Sequence, residues 1–170
     1  FLTAFLPALA EHVKALGIFD VTYLHLSDEP SGNYLDRYVR LYETVKRYAG
    51  GLPVMDALSD FAFAERGVPD LPVVEVGHEV LFVEHQVPFL LYYACNNDRD
   101  NQPNIFMSFP HLRVRVLGIM LYIIGAKGFL HWGFNFYHTA LSLRHIDPYR
   151  SCDGGETFPA GDPFVVYPDG

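Results

Sequence analysis

Short runs of β-forming residues alternate along this chain with segments of helical periodicity, and that alternation limits the fold more than any other feature. Val21-Thr22-Tyr23-Leu24-His25-Leu26 is the first clear run, and it closes on the polar stretch Ser27-Asp28-Glu29-Pro30. Leu52 to Leu58, Leu71 to Val76, Phe89 to Ala94 and Gly128 to Phe134 are four more. Between them lie helical patterns. Phe5, Leu6, Leu9, Val13 and Leu16 recur at helical spacing before Gly17, and Tyr34 to Tyr48 carries an apolar stripe that Gly50-Gly51 ends. His111 to Ile124 is a further long helical stretch, stopped by Gly125. Strands joined through helices pair in parallel with right-handed crossovers. The chain is therefore α/β, either an open sheet or a partial (β/α)8 TIM-type barrel holding roughly the last five of eight β/α units. Acids, aromatics and amides at the strand ends favour the barrel, whose active sites collect at that face. Residues 1–150 are then the later part of the barrel. Residues 151–170, irregular around Gly154-Gly155, Pro159 and Gly161, form an exit segment toward a β-like stretch from Phe164 to Tyr167.

Charge narrows the function. A formal net charge of -8, with no Lys/Arg-rich run, argues against a nucleic-acid partner and against an anionic membrane surface. The most apolar run, Val114 to Ile124, is too short to span a bilayer, so no membrane span is expected. The opening Phe1-Leu2-Thr3-Ala4 lacks Met and a basic leader region, and it reads as the interior of a longer product. Cys95 and Cys152 define neither a disulfide framework nor a zinc site, and spacing alone does not say whether they pair. The eight histidines show no His-x-His or His-Glu-x-x-His spacing, and no phosphate-binding glycine fingerprint follows a strand. Neither a metal nor a cofactor is expected. Arg115, near the start of a helix where its charge opposes the dipole, is expected to have a carboxylate partner.

The adjacent acids Asp28 and Glu29 are the strongest candidates for chemistry, at the end of a strand where an α/β barrel places reacting groups. Pro30 disfavours the right-handed helical region for Glu29, so an extended Glu29 is expected. Glycosidic cleavage needs a proton donor at the leaving oxygen and a second group to stabilise the cationic centre. Adjacent acids suit the case in which the substrate's own acetamido group is the nucleophile and the second acid only orients it. The competing explanation is that one of the acids caps the following helix.

Several stretches, taken in order, resemble the catalytic domain of glycoside hydrolase family 123. They are His25 to Pro30, Leu91-Tyr92-Tyr93-Ala94-Cys95, Pro103 to Phe106, Arg115 to Gly118, Gly125 to Tyr137, Phe158 to Asp162 and Val166 to Pro168. The resemblance implies a secreted-type glycosidase that removes a β-linked N-acetylhexosamine of the GalNAc type. The reaction would be retaining and pass through an oxazoline, with Asp28 orienting the acetamido group and Glu29 as general acid/base. It also implies that Trp132 stacks on a sugar face, that Asn135 and Tyr137 bind hydroxyls, and that one of Tyr92 and Tyr93 faces the pocket. Asn96 and Asn97 are weaker candidates. Leu91 stands where the family usually has an aromatic, and His25-Leu26-Ser27 lacks the two glycines of the family 20 hexosaminidases. The implied partners are a glycan substrate and the early barrel strands, from the parent chain or another copy, without which a strand edge lies open. The rival assignment is a non-catalytic carbohydrate-binding or structural barrel module.

Overall fold

The first helical pattern becomes α1, Leu2–Ala15, in a computed structural model that describes residues 1–95 and 102–169. Leu6, Ala10 and Val13, spaced to share one face, bury against Val45, Ala49 and Leu52. Each large apolar side chain in such a cluster contributes about 1.5–3 kcal/mol. Val45 belongs to α2, Leu35–Tyr48, which a short 3₁₀ turn, Gly32–Tyr34, precedes. Gly50 closes the turn after α2 at φ 60°, where a Cβ would lie 2.6 Å from that of Ala10. Both the left-handed backbone and the close approach of α1 demand glycine there.

The chain divides into two compact units, residues 1–90 and 91–170. In the first, β1, Met55–Ala57, pairs in parallel with β2, Leu71–Glu75, placing Asp56 opposite Pro72. Val73 and Val74 are both buried, as a strand covered on two faces requires. Two five-residue helices follow these strands. The first is α3, Phe61–Glu65, capped by the Asp60 side chain accepting from Ala62 N–H at 3.0 Å; the second is α4, Val80–Glu84. Phe63 and Phe82 fill the core beneath them.

The run Val21 to Leu26 does not form the expected strand. A 3₁₀ turn, Phe19–Val21, ends on its first residue, and the run makes one parallel bridge, Leu24↔Val54. Leu24 N–H donates to the Pro53 carbonyl at 2.8 Å and Met55 N–H to the Leu24 carbonyl at 2.9 Å. The ladder stops there because the next donor, Leu26 N–H, goes to the Asp56 carboxylate instead. The run from Leu52 likewise shortens to β1, with Val54 N–H held by Asp70 at 2.7 Å.

The second unit opens within β3, Leu90–Tyr92, which pairs in parallel with β4, Phe129–Leu130, through Leu91↔Phe129 and Tyr92↔Leu130. Only two residues of the expected run from Gly128 to Phe134 therefore pair. Asn104 is buried and donates to the Ala94 carbonyl just past β3, which accounts for a polar residue inside an apolar segment. The helix α5, Leu112–Ile124, ends at Gly125 in the left-handed conformation, as its sequence requires. None of its residues is buried, and Ile119, Tyr122 and Ile123 are exposed. Beyond β4 the unit is held by antiparallel bridges, Asn135↔Phe164 and His138↔His145. The architecture is mixed α/β with parallel strand pairs.

Candidate active site

The acid pair sits where the first run leaves its ladder. Leu26 N–H donates to Asp56 Oδ1 at 2.7 Å, and Glu29 N–H donates to the carbonyl of Ala57, the last residue of β1, at 2.9 Å. The segment thus folds back over the end of that strand. Glu29 does so with φ 42°, not in the extended conformation expected from Pro30. Proline favours extended backbone in the residue before it, but the bond from Glu29 N–H to the Ala57 carbonyl accompanies a left-handed conformation here. A non-glycine residue held there costs on the order of 1–3 kcal/mol, a cost typical of functional turns.

Both carboxylates are exposed and line one cleft of about 510 Å³. Its other wall is a face of α2 and the turn before it: Tyr34, Arg37, Tyr38 and Leu41, at helical spacings of three, four and seven. Ser27 and Ser31 supply hydroxyls, and Leu26 an apolar patch. Arg37 is the one cation lining the cleft, and among the described residues it has no ion-pair partner. Neither acid caps a helix. The 3₁₀ turn begins after Ser31 and α2 after Tyr34, neither with a side-chain cap.

Asp56 is the residue that sequence reading missed. It is 1% exposed, and its carboxylate accepts from Leu26 N–H, from the Tyr38 hydroxyl at 2.5 Å and from His25 Nδ1 at 2.7 Å. The His25 side chain remains 60% exposed. Burial, reinforced by the bond to Asp56, raises the Tyr38 phenol far above its usual range and keeps it a donor. The available signal was an acid placed inside the apolar run Leu52 to Leu58.

The other sequence candidates belong to the second unit. Tyr92 and Tyr93 are both buried, and the Tyr93 ring packs on Phe129 and His131 at 4.7 and 5.5 Å. Trp132 is 37% exposed; its indole N–H donates to Asp162 Oδ2 at 2.9 Å and its ring leans on Phe158 and Phe136. Asn135 is exposed, while the Tyr137 hydroxyl donates to the Val166 carbonyl at 2.8 Å. Asn96 and Asn97 lie outside the described residues. Arg115 has no carboxylate partner among the described residues, and neighbouring Arg113 stacks on Phe109 at 3.9 Å. Cys95 and Cys152 form no disulfide. Among the described residues no three His, Cys, Asp or Glu side chains converge as metal ligands, and no helix is long and apolar enough to cross a membrane.

Asp162 is fully buried, with Oδ1 lacking a partner among the described residues. Burial raises its carboxyl above the usual range, against the opposing pull of the Trp132 N–H and the nearby His131. A folded-state acid raised in this way contributes stability that is complete below the unfolded value and is lost as pH rises through the folded one. Asp162→Asn should abolish that loss. The difference in urea midpoint between parent and variant is expected to shift in the variant's favour as pH rises from acid to neutral, and parallel pH profiles for the two proteins would refute the assignment.

Two exposed carboxylates thus stand side by side in one cleft, beside the end of a parallel strand. The chain belongs to glycoside hydrolase family 123, whose catalytic-domain model matches residues 1–170. A family 123 glycoside hydrolase from Clostridium perfringens, studied for the details of glycolipid glycan hydrolysis, has a similar fold with a TM-score of 0.68 at 19% sequence identity. The match covers 98% of this chain and 29% of that one, so this chain spans less than a third of its structural relative. No curated protein matches the sequence.

Proposed function

We propose that the protein is a retaining glycosidase that removes a β-linked N-acetylhexosamine, GalNAc by preference, with Glu29 as general acid/base and Asp28 as the residue that orients the acetamido group. The observation that carries this reading is the placement of both acids, exposed and uncapping, in a single cleft beside Arg37. In the first step Glu29 protonates the glycosidic oxygen as that bond to C1 breaks. The acetamido carbonyl oxygen forms its own bond to C1, and Asp28 accepts the acetamido N–H, which closes an oxazoline. In the second step Glu29 takes a proton from water as the water oxygen bonds to C1 and the oxazoline opens, so configuration is retained. The parallel strands are read as the later part of a (β/α)8 barrel, with residues 151–170 leading out of it. On the second unit, Tyr92, Tyr93, Trp132, Asn135 and Tyr137 are the further proposed sugar-binding residues, and Trp132, 37% exposed, is the one whose ring supports stacking on a sugar face. The Clostridium perfringens relative makes glycolipid-type glycans the natural substrate class to try after simple aryl glycosides.

Incubating the protein with aryl β-GalNAc and aryl β-GlcNAc, and following the sugar by proton NMR, tests the reading. The β-anomer is expected to appear first, faster from the GalNAc substrate. Sugar binding without turnover would assign a recognition module instead.

A further inference from the structure

We propose that Asp56 is a positioning residue for the acid pair, one buried carboxylate that fastens both walls of the cleft; the inference rests on the glycosidase reading above. One wall is the acid-bearing segment, and Asp56 holds it through Leu26 N–H at 2.7 Å and His25 Nδ1 at 2.7 Å. The other wall is the face of α2, and Asp56 holds it through the Tyr38 hydroxyl. Leu26 and Tyr38 line the cleft, whereas Asp56 does not, so it acts through them and not on substrate. The next residue, Ala57, receives Glu29 N–H at 2.9 Å, so the turn that carries the acids is anchored at consecutive positions of β1.

The chemistry requires a carboxylate. Three donors converge on it, and an ionised carboxylate offers two acceptor oxygens with about four lone-pair directions. Asparagine has nearly the same shape but only one acceptor oxygen, and its NH₂ would face a donor. At least one wall would then come loose without a cavity forming. Leu26 N–H also explains why a side chain does this work. In an extended ladder that donor would bond to the neighbouring strand's backbone, and the acids would continue along the strand. Its capture by Asp56 is what bends the segment back across the strand end.

Asp56→Asn and Tyr38→Phe test the proposal, measured as kcat and KM on aryl β-GalNAc together with amide hydrogen exchange. Asp56→Asn is expected to lower kcat by about 10–100-fold, the scale of a misplacement near 1 Å. KM should hold, because free sugar still enters the cleft. Exchange at Leu26 and through residues 27–31 should quicken while α1 and β2 stay protected. Tyr38→Phe should show a smaller loss, and the double variant should be no worse than Asp56→Asn, since both act on one fastening. Unchanged kcat and unchanged exchange at Leu26 in folded Asp56→Asn overturn the proposal. So does a loss that appears only as a lower folded fraction with Tyr38→Phe fully active. If the parent protein turns over no aryl hexosaminide, the glycosidase reading falls by itself. The exchange at Leu26 then still decides whether Asp56 fastens the acid segment.

Discussion

Glu29→Gln is expected to lower kcat on an aryl β-N-acetylgalactosaminide by about 10²–10⁴-fold, the range supplied by a positioned general acid/base. The loss should depend on the leaving group. A strongly acidic phenol departs without a proton, so the variant recovers most on such substrates and least on poor leaving groups. Asp28→Asn should also slow turnover, but evenly across leaving groups, because orienting the acetamido group matters whichever oxygen departs. Both acids are exposed and neither caps a helix, so neither substitution removes a core contact. Circular dichroism and unfolding midpoints should match the parent's. A series of aryl glycosides with graded phenol acidity checks this. Wild-type kcat in Glu29→Gln across the series would remove Glu29 from the mechanism.

How far the sequence foretold this site depended on how local each feature is. The helices α1 and α2 were legible because their apolar residues recur at helical spacing before a glycine, and α5 because a long apolar run stops at Gly125. The five-residue helices α3 and α4 were not, since one turn is too short to show a period. Val21 to Leu26 has strong β-propensity yet forms one rung, because a side chain 30 residues away takes its next donor. The acid pair stood out as charge at the end of an apolar run. Arg37 looked like an ordinary solvated residue of α2, and only the fold places it opposite those acids. The same distance hid Asp162, which meets Trp132 across 30 residues of sequence. Glu29 departs from the local rule, since proline favours extended backbone before it and the residue is left-handed in the turn bonded to β1.

Phe63→Ala should destabilise the protein by about 3–5 kcal/mol, the usual cost of deleting a fully buried phenylalanine ring. Phe63 is 0% exposed, and its ring stands edge-on to Tyr38 at 5.2 Å between centroids with an interplanar angle of 86°. The ring therefore supports the phenol that holds α2 to Asp56. Two losses should coincide. The urea midpoint falls with little change in slope, as expected when stability changes and compactness does not. Turnover falls too at temperatures where the variant is still folded, because Tyr38 loses the surface that fixes its ring. Phe63→Leu keeps most of the apolar volume and should cost less on both counts. A double-mutant cycle of Phe63→Leu with Tyr38→Phe separates the two effects. Coupling in kcat shows that the ring acts through the phenol, whereas additive losses restrict Phe63 to the core. A stability loss near 0.5 kcal/mol, as for an ordinary surface change, would mean that the site collapses around the missing ring and that Tyr38 is held by Asp56 alone.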